Sequence, residues 1–245
     1  MLYGMNIAKL VFPLLTLPYL TRVLSVQSYA AVAYTKSVMS YMQILVDFGF
    51  LLSGTKEVVQ ACQNNQSLGK VTFEILLARI VLTIAAFCAL LVMIFFIPIL
   101  NTNKLFSILS FIPVFLSVFL FDYLFRGIEK MHVIAARFMV MRGISTLFTF
   151  ISIKDDSDIL IIPLLDIAGS LAAIVFILRE LKLLGLTAQD IKLISAFKKL
   201  KTSAVYFISN MATTAFGALN TILIGIFLQG EKIAYWSVSM QLIGA

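Results

Sequence analysis

The chain has 245 residues, of which 61% are hydrophobic and only 13% are charged. Soluble domains carry about 25% charged residues, and a soluble fold of this length cannot bury so much apolar surface, so the composition predicts a polytopic membrane protein. The net charge of +7 does not require a nucleic-acid partner, and we expect none, because lysine and arginine of membrane proteins concentrate in cytoplasmic loops.

Apolar runs follow one another along the chain, each long enough to cross a hydrocarbon core of about 30 Å. The predicted spans are residues 3–20, 30–53, 72–99, 105–125, 133–153, 158–179 and 203–229, with an eighth beginning near Ala234. Helices are expected because lipid offers the backbone no hydrogen-bond partners. The predicted fold is therefore all-α and polytopic, with a six-helix N-terminal lobe at 1–180, an amphipathic cytoplasmic linker at 181–202, and the first one to two helices of a second lobe at 203–245.

The orientation follows from the distribution of basic residues between the loops. If the N-terminus is cytoplasmic, the inner loops hold most lysines and arginines, and the acidic turn "KDDSD" at 154–158 lies outside. The positive-inside rule favours this orientation. The inner loop 179–202 has apolar residues at helical spacing among several lysines, one of them Lys199, which predicts an amphipathic helix on the inner leaflet.

Several charged residues fall inside the predicted spans. They are Lys9, Lys36, Arg79 and Arg142, against Asp47, Asp122 and Asp166. Each costs a few kcal/mol in lipid, so we expect these side chains to face the protein interior or a water-filled cavity. Counting about 1.5 Å per residue from the span ends predicts two ion pairs, Asp47 with Arg79 and Arg142 with Asp166.

Polar residues recur at helical spacing along three of the spans. The second span carries Lys36, Ser40, Gln43 and Asp47; the fifth carries Arg142, Ser145 and Thr149; and the seventh carries Ser209, Thr213 and Asn220. Each set lies on one helix face. Several such faces together could line a cavity with a slight excess of cations, which favours an anionic cargo. For the serine and threonine members, hydrogen-bonded contacts between helices explain the pattern equally well.

Three motifs, which follow one another along the chain, resemble those of a known family. They are "FPLLTLPYLTRVL" at 12–24, "YMQILVDFGFLLSGTKEV" at 41–58 and "FDYLFRGIEKM" at 121–131. The chain resembles the O-antigen flippase (Wzx-type) family of polysaccharide transporters, in the multidrug/oligosaccharidyl-lipid/polysaccharide exporter superfamily. Tyr123 stands where the family commonly has tryptophan. Such flippases usually have twelve or more spans in two six-helix lobes, so we expect this chain to be a truncated form.

The resemblance implies a transporter, not an enzyme, with no cofactor and no metal. Its cargo would be an undecaprenyl-pyrophosphate-linked O-antigen or polysaccharide repeat unit, carried across the bacterial inner membrane by alternating access and driven by a cation gradient. Other expected partners are membrane lipids and the polysaccharide polymerase and assembly proteins. The expected binding residues for the anionic head group are Arg22, Lys36, Arg79 and Arg142, those for the coupling ion are Asp47 and Asp166, and further lining residues are Ser40, Gln43, Ser209, Thr213 and Asn220.

Some alternatives stay open at this point. Pro13 and Pro18 would bend the first helix, and Arg22 at its outer end could attract phosphate or could simply reach the membrane interface. The polar faces alone would also suit a drug exporter of the same superfamily. A membrane-embedded glycosyltransferase or polymerase is suggested by the acidic residues Asp155–Asp158, although a solvated turn explains this cluster better.

Overall fold

The computed structural model describes residues 2–186, 197–208, 235–236 and 239. Within 2–186 the chain forms a series of α-helices linked by short turns. They are α1 (Leu2–Val23), α2 (Val26–Asp47), α3 (Phe50–Gln63), α4 (Leu68–Phe96), α5 (Pro98–Thr102), α6 (Lys104–Leu116), α7 (Asp122–Gly127), α8 (Met131–Ser152) and α9 (Ile161–Leu183). Residues 197–208 are also helical, and the described residues include no strand, so the predicted all-α fold is confirmed.

Five helical stretches are long and apolar enough to cross a membrane among the described residues. They are Val26–Gln63, Leu68–Phe96, Lys104–Gly127, Met131–Ser152 and Asp156–Leu183, and they correspond to the second to sixth predicted spans. The first predicted span lies in α1, which has 22 residues but contains Lys9 and two prolines and is not among the five. Most of the seventh and eighth predicted spans, and residues 187–196 of the predicted linker, lie outside the described residues.

Two of the predicted spans are interrupted by short stretches of non-helical backbone. The second is interrupted after α2, where Phe48 has φ 37° and Gly49 has φ 73°; glycine adopts such positive φ values without steric cost. The fourth contains Pro113, which lacks a backbone N–H and weakens the helix at that point. There α6 gives way to a 3₁₀ turn, Ser117–Leu120, and Phe121 takes φ 48° before α7 begins.

The helices pack closely where glycines face a neighbouring backbone. The contact between α8 and α9 is the most extensive, and a Cβ on Gly169 would lie 2.5 Å from the Met141 carbonyl oxygen. Helix α3 packs on α7, where a Cβ on Gly127 would lie 2.5 Å from the Val58 side chain. Helix α1 packs on α8, and the Tyr19 hydroxyl donates to backbone carbonyls at the end of α8 at 3.0 and 2.7 Å.

Candidate functional site

A cavity of about 730 Å³ lies among α2, α4, α6, α8 and α9, beside the two interruptions. Its charged and polar lining residues are Lys36, Ser40, Gln43, Asp47, Arg79, Ser110, Ser117, Asp122, Arg137, Arg142, Asp166 and Ser170. Helix α2 contributes all four residues of its predicted polar face. The cavity thus brings together predicted site residues from four different helices.

The α2 residues differ in how their polar atoms are used. The Gln43 side-chain amide donates to the Ser117 hydroxyl at 3.0 Å, so this residue joins α2 to the interrupted helix. The Ser40 hydroxyl donates to the Lys36 carbonyl of its own helix at 3.0 Å. Gln43 therefore both lines the cavity and makes a hydrogen-bonded contact between helices.

Two ion pairs lie at the end of the cavity where α2 ends and α7 begins. The Arg79 guanidinium is 2.7 Å from the Asp47 carboxylate, which confirms that predicted pair, and it also donates to the Val118 carbonyl at 3.3 Å. The Arg137 guanidinium is 2.5 Å from the Asp122 carboxylate. Each cation at this end has its own carboxylate, so the charges here balance.

Arg137 was not among the predicted site residues, because sequence reasoning assigned it to a cytoplasmic flank. The structure places it inside α8 with 6% of its surface exposed. Its spacing carried only a weak signal, since the eight residues to Ser145 turn the helix about 2.2 times and leave Arg137 about 80° away around the helix axis.

The charges near Asp166 do not balance in this way. The Arg142 guanidinium is 3.9 Å from the Asp166 carboxylate, which is longer than a hydrogen bond but places the two predicted partners together. The Ser145 hydroxyl donates to the same carboxylate at 2.6 Å. Lys36 lines the same cavity. Because Arg79 and Arg137 are paired with Asp47 and Asp122, the charged lining residues that remain are two cations, Lys36 and Arg142, and one carboxylate, Asp166.

Other predicted residues lie elsewhere. Arg22 is exposed near the end of α1 and is not part of the described cavity lining. The Lys9 side chain is exposed, its ammonium lies 5.8 Å from the centre of the Phe138 ring, and it is not part of the described cavity lining. The predicted lining residues Ser209, Thr213 and Asn220 lie outside the described residues.

The acidic turn has a structural role at the joint of α1 and α2. The Asp156 carboxylate accepts the backbone N–H of Ser25 at 2.8 Å. Asp155 and Asp158 form a capping box around the 3₁₀ turn Asp156–Leu160. No group of three or more histidine, cysteine, aspartate or glutamate side chains that could hold a metal ion occurs among the residues that the structure describes.

Comparison with known proteins gives one family and two curated relatives. The family model described as "Polysaccharide biosynthesis protein" matches residues 1–245. A Shigella dysenteriae protein named "Putative O-antigen transporter" is 25% identical over 244 residues, which are 99% of this chain and 61% of that protein. An Escherichia coli (strain K12) protein of the same name is 28% identical over 162 residues, 66% of this chain and 39% of that protein. The chain therefore spans about three fifths of the Shigella relative's length. No solved structure matches the chain.

Proposed function

Because the chain belongs to the polysaccharide biosynthesis protein family, we propose that it acts as a flippase for undecaprenyl-pyrophosphate-linked O-antigen or polysaccharide repeat units. The membrane would be the bacterial inner membrane, with the N-terminus in the cytoplasm and transport towards the periplasm. The observation that carries this proposal is that the cavity among the apolar helices is lined by more cations than carboxylates, with Lys36 and Arg142 as the cations outside the two close ion pairs.

The chemistry of the cargo suits this arrangement. A pyrophosphate with attached sugars cannot cross hydrocarbon unaided, because desolvating its charges is too costly, whereas a polyprenyl tail can stay in lipid. Arg142 is held only loosely by Asp166, at 3.9 Å, and about half of its side chain, 48%, is exposed. Its guanidinium is therefore free to form paired hydrogen bonds with phosphate oxygens, and Lys36 adds a second charge.

Asp47 and Asp166 remain our proposed sites for the coupling cation. Asp47 is engaged by Arg79 at 2.7 Å, so a proton or sodium ion could bind its carboxylate only by releasing the guanidinium. Arg79 also holds the Val118 carbonyl in the 3₁₀ turn that interrupts the fourth span. Interrupted helices at ion sites are a recurring feature of secondary transporters. Cation binding at Asp47 would thus be transmitted to the turn through Arg79.

The proposal is tested by transport of a fluorescent undecaprenyl-pyrophosphate-linked oligosaccharide in vesicles that contain the complete gene product. Removing the positive charges with Lys36→Gln and Arg142→Gln should each reduce transport at least about tenfold, since a lost charge-assisted hydrogen bond is worth about 1.5–3 kcal/mol. The matched control is Lys9→Gln, which removes a cation outside the cavity lining and should leave transport unchanged.

Two outcomes would count against this function. Transport of organic cations without transport of the lipid-linked sugar would instead support a drug exporter of the same superfamily. Unchanged sugar transport in Arg142→Gln and Lys36→Gln would remove the proposed head-group site. Surface polysaccharide in a flippase-deleted strain that expresses the same variants gives an independent measurement.

A further inference from the structure

Residues 197–208 run antiparallel to α3 and contact it at regular intervals. We call this contact the seam. Its three contacts pair Lys199 with Glu57, Ser203 with Ser53, and Phe207 with Gly49. Successive contacts are four residues apart on both helices, in opposite directions along the chain, so each contact lies about one helical turn from the next.

Small residues make the approach of the two helices close. The Ser53 and Ser203 hydroxyls share a hydrogen bond of 2.6 Å, and Ser203 is fully buried. A Cβ on Gly49 would lie 2.6 Å from the Phe207 backbone nitrogen, so a larger residue there would push the helices apart. The Phe48 and Phe207 rings stack with their centres 4.4 Å apart. The seam is therefore specific in register, and it combines an ion pair and a hydroxyl–hydroxyl hydrogen bond with one aromatic contact.

The charges at the far end of the seam are unequal. The Lys199 ammonium pairs with the Glu57 carboxylate and lies 3.7 Å from the Glu74 carboxylate. The Glu74 side chain is 6% exposed and that of Glu57 is 18% exposed. If Lys199 moved away, two carboxylates would face each other with little solvent, which is unfavourable until water or a cation reaches them. Lys199 therefore stabilises the closed arrangement of the seam, and we call this residue the latch.

We propose that the seam is a gate at one end of the charged cavity, with Lys199 as its latch, and that residues 197–208 separate from α3 during the protein's working cycle. The position supports this, because Asp47 and Phe50, which line the cavity, directly flank Phe48 and Gly49 of the seam. The polar character supports it as well, since interfaces of this kind commonly separate and close again. The role of this gate in transport rests on the function proposed above, whereas the separation of residues 197–208 from α3 does not depend on that function.

Opening can be measured without transport. In a Cys62→Ser, Cys88→Ser background, a single Ser203→Cys is labelled in membranes with a small water-soluble maleimide. Lys199→Gln should raise the labelling rate at least roughly fivefold, the factor that corresponds to about 1 kcal/mol. The control Lys198→Gln removes a neighbouring, exposed lysine and should leave the rate unchanged. Equal rates in Lys199→Gln and Lys198→Gln would overturn the latch.

The need for opening is tested by closing the seam covalently. Ser53→Cys with Ser203→Cys places two sulfurs where hydroxyls now lie 2.6 Å apart, so mild oxidation should cross-link them. The cross-linked complete gene product should lose at least about nine-tenths of its transport and regain it on reduction. Full transport by the cross-linked protein would overturn the gate. If the complete gene product without these substitutions does not transport at all, the function proposed above fails, and the labelling rates still decide whether the seam opens.

Discussion

The Asp47–Arg79 pair should respond unequally to the loss of either partner. Arg79 is almost buried, with 6% of its side chain exposed, whereas Asp47 is 38% exposed and faces the cavity. Asp47→Asn therefore leaves a buried guanidinium without a counter-charge. Arg79→Gln leaves a carboxylate that cavity water can hydrate. The first substitution should be the more damaging.

The magnitudes follow from these exposures. Breaking a buried pair costs about 3–5 kcal/mol, and because one side of this pair is solvated, we expect about 3 kcal/mol for Asp47→Asn. An exposed pair is worth about 0–1 kcal/mol, so Arg79→Gln should cost about 1 kcal/mol. The double substitution removes both charges, and its cost should stay close to that of Arg79→Gln alone.

The measurement is the thermal unfolding midpoint of detergent-solubilised protein, together with the folded fraction by size-exclusion chromatography. Lys56→Gln is the control, because it removes an exposed charge on α3 and should shift stability by less than about 0.5 kcal/mol. Additive losses in the double variant would refute a direct pair. A larger loss for Arg79→Gln than for Asp47→Asn would refute the argument from burial.

Three further expectations concern packing and orientation. Gly169→Ala should destabilise the protein by about 1–3 kcal/mol in thermal unfolding, because its Cβ would meet the α8 backbone, whereas Gly143→Ala, with open space around it, should be neutral or slightly stabilising. Tyr19→Phe should cost about 1 kcal/mol in the same assay, since it removes the hydroxyl that holds α1 to α8; no change would mean that this contact contributes nothing to stability. An impermeant thiol reagent added outside intact spheroplasts should label Ser157→Cys but not Ser195→Cys, and the reverse result would invert the proposed orientation.

Sequence reasoning predicted the parts of this structure that depend on the helical repeat and on the depth of a residue in the membrane. The polar face of α2 follows from the helical repeat alone, and Lys36 and Asp47 at its two ends both line the cavity. The partner of Asp47 followed from counting the rise along two antiparallel spans, because ionised groups at equal depth gain by pairing. The observed distance to Arg79 confirms that reasoning.

The parts that were missed depend on single residues in unusual conformations or on contacts distant in sequence. Hydropathy averaged over a span does not register a change of φ at Phe48 or Phe121, so both interruptions were read as continuous helix. Arg137 was assigned to a cytoplasmic flank because it lies near the end of a predicted span. The assignment of Lys199 to an amphipathic linker helix stays a prediction. Its ion pair with Glu57 was not predicted, because nothing local in the sequence marks that partner.

The joint between α2 and α3 connects the charged cavity to the seam. Asp47, the last residue of α2, holds Arg79, and the next two residues, Phe48 and Gly49, are left-handed and contact Phe207. A rotation of α3 about this joint would therefore move the seam while Asp47 stays with α2. Conversely, release of Arg79 by a cation on Asp47 would remove the charged contact that fixes the end of α2. Because Asp47 of the cavity is followed directly by Phe48 and Gly49 of the seam, a change in one feature has a direct mechanical route to the other.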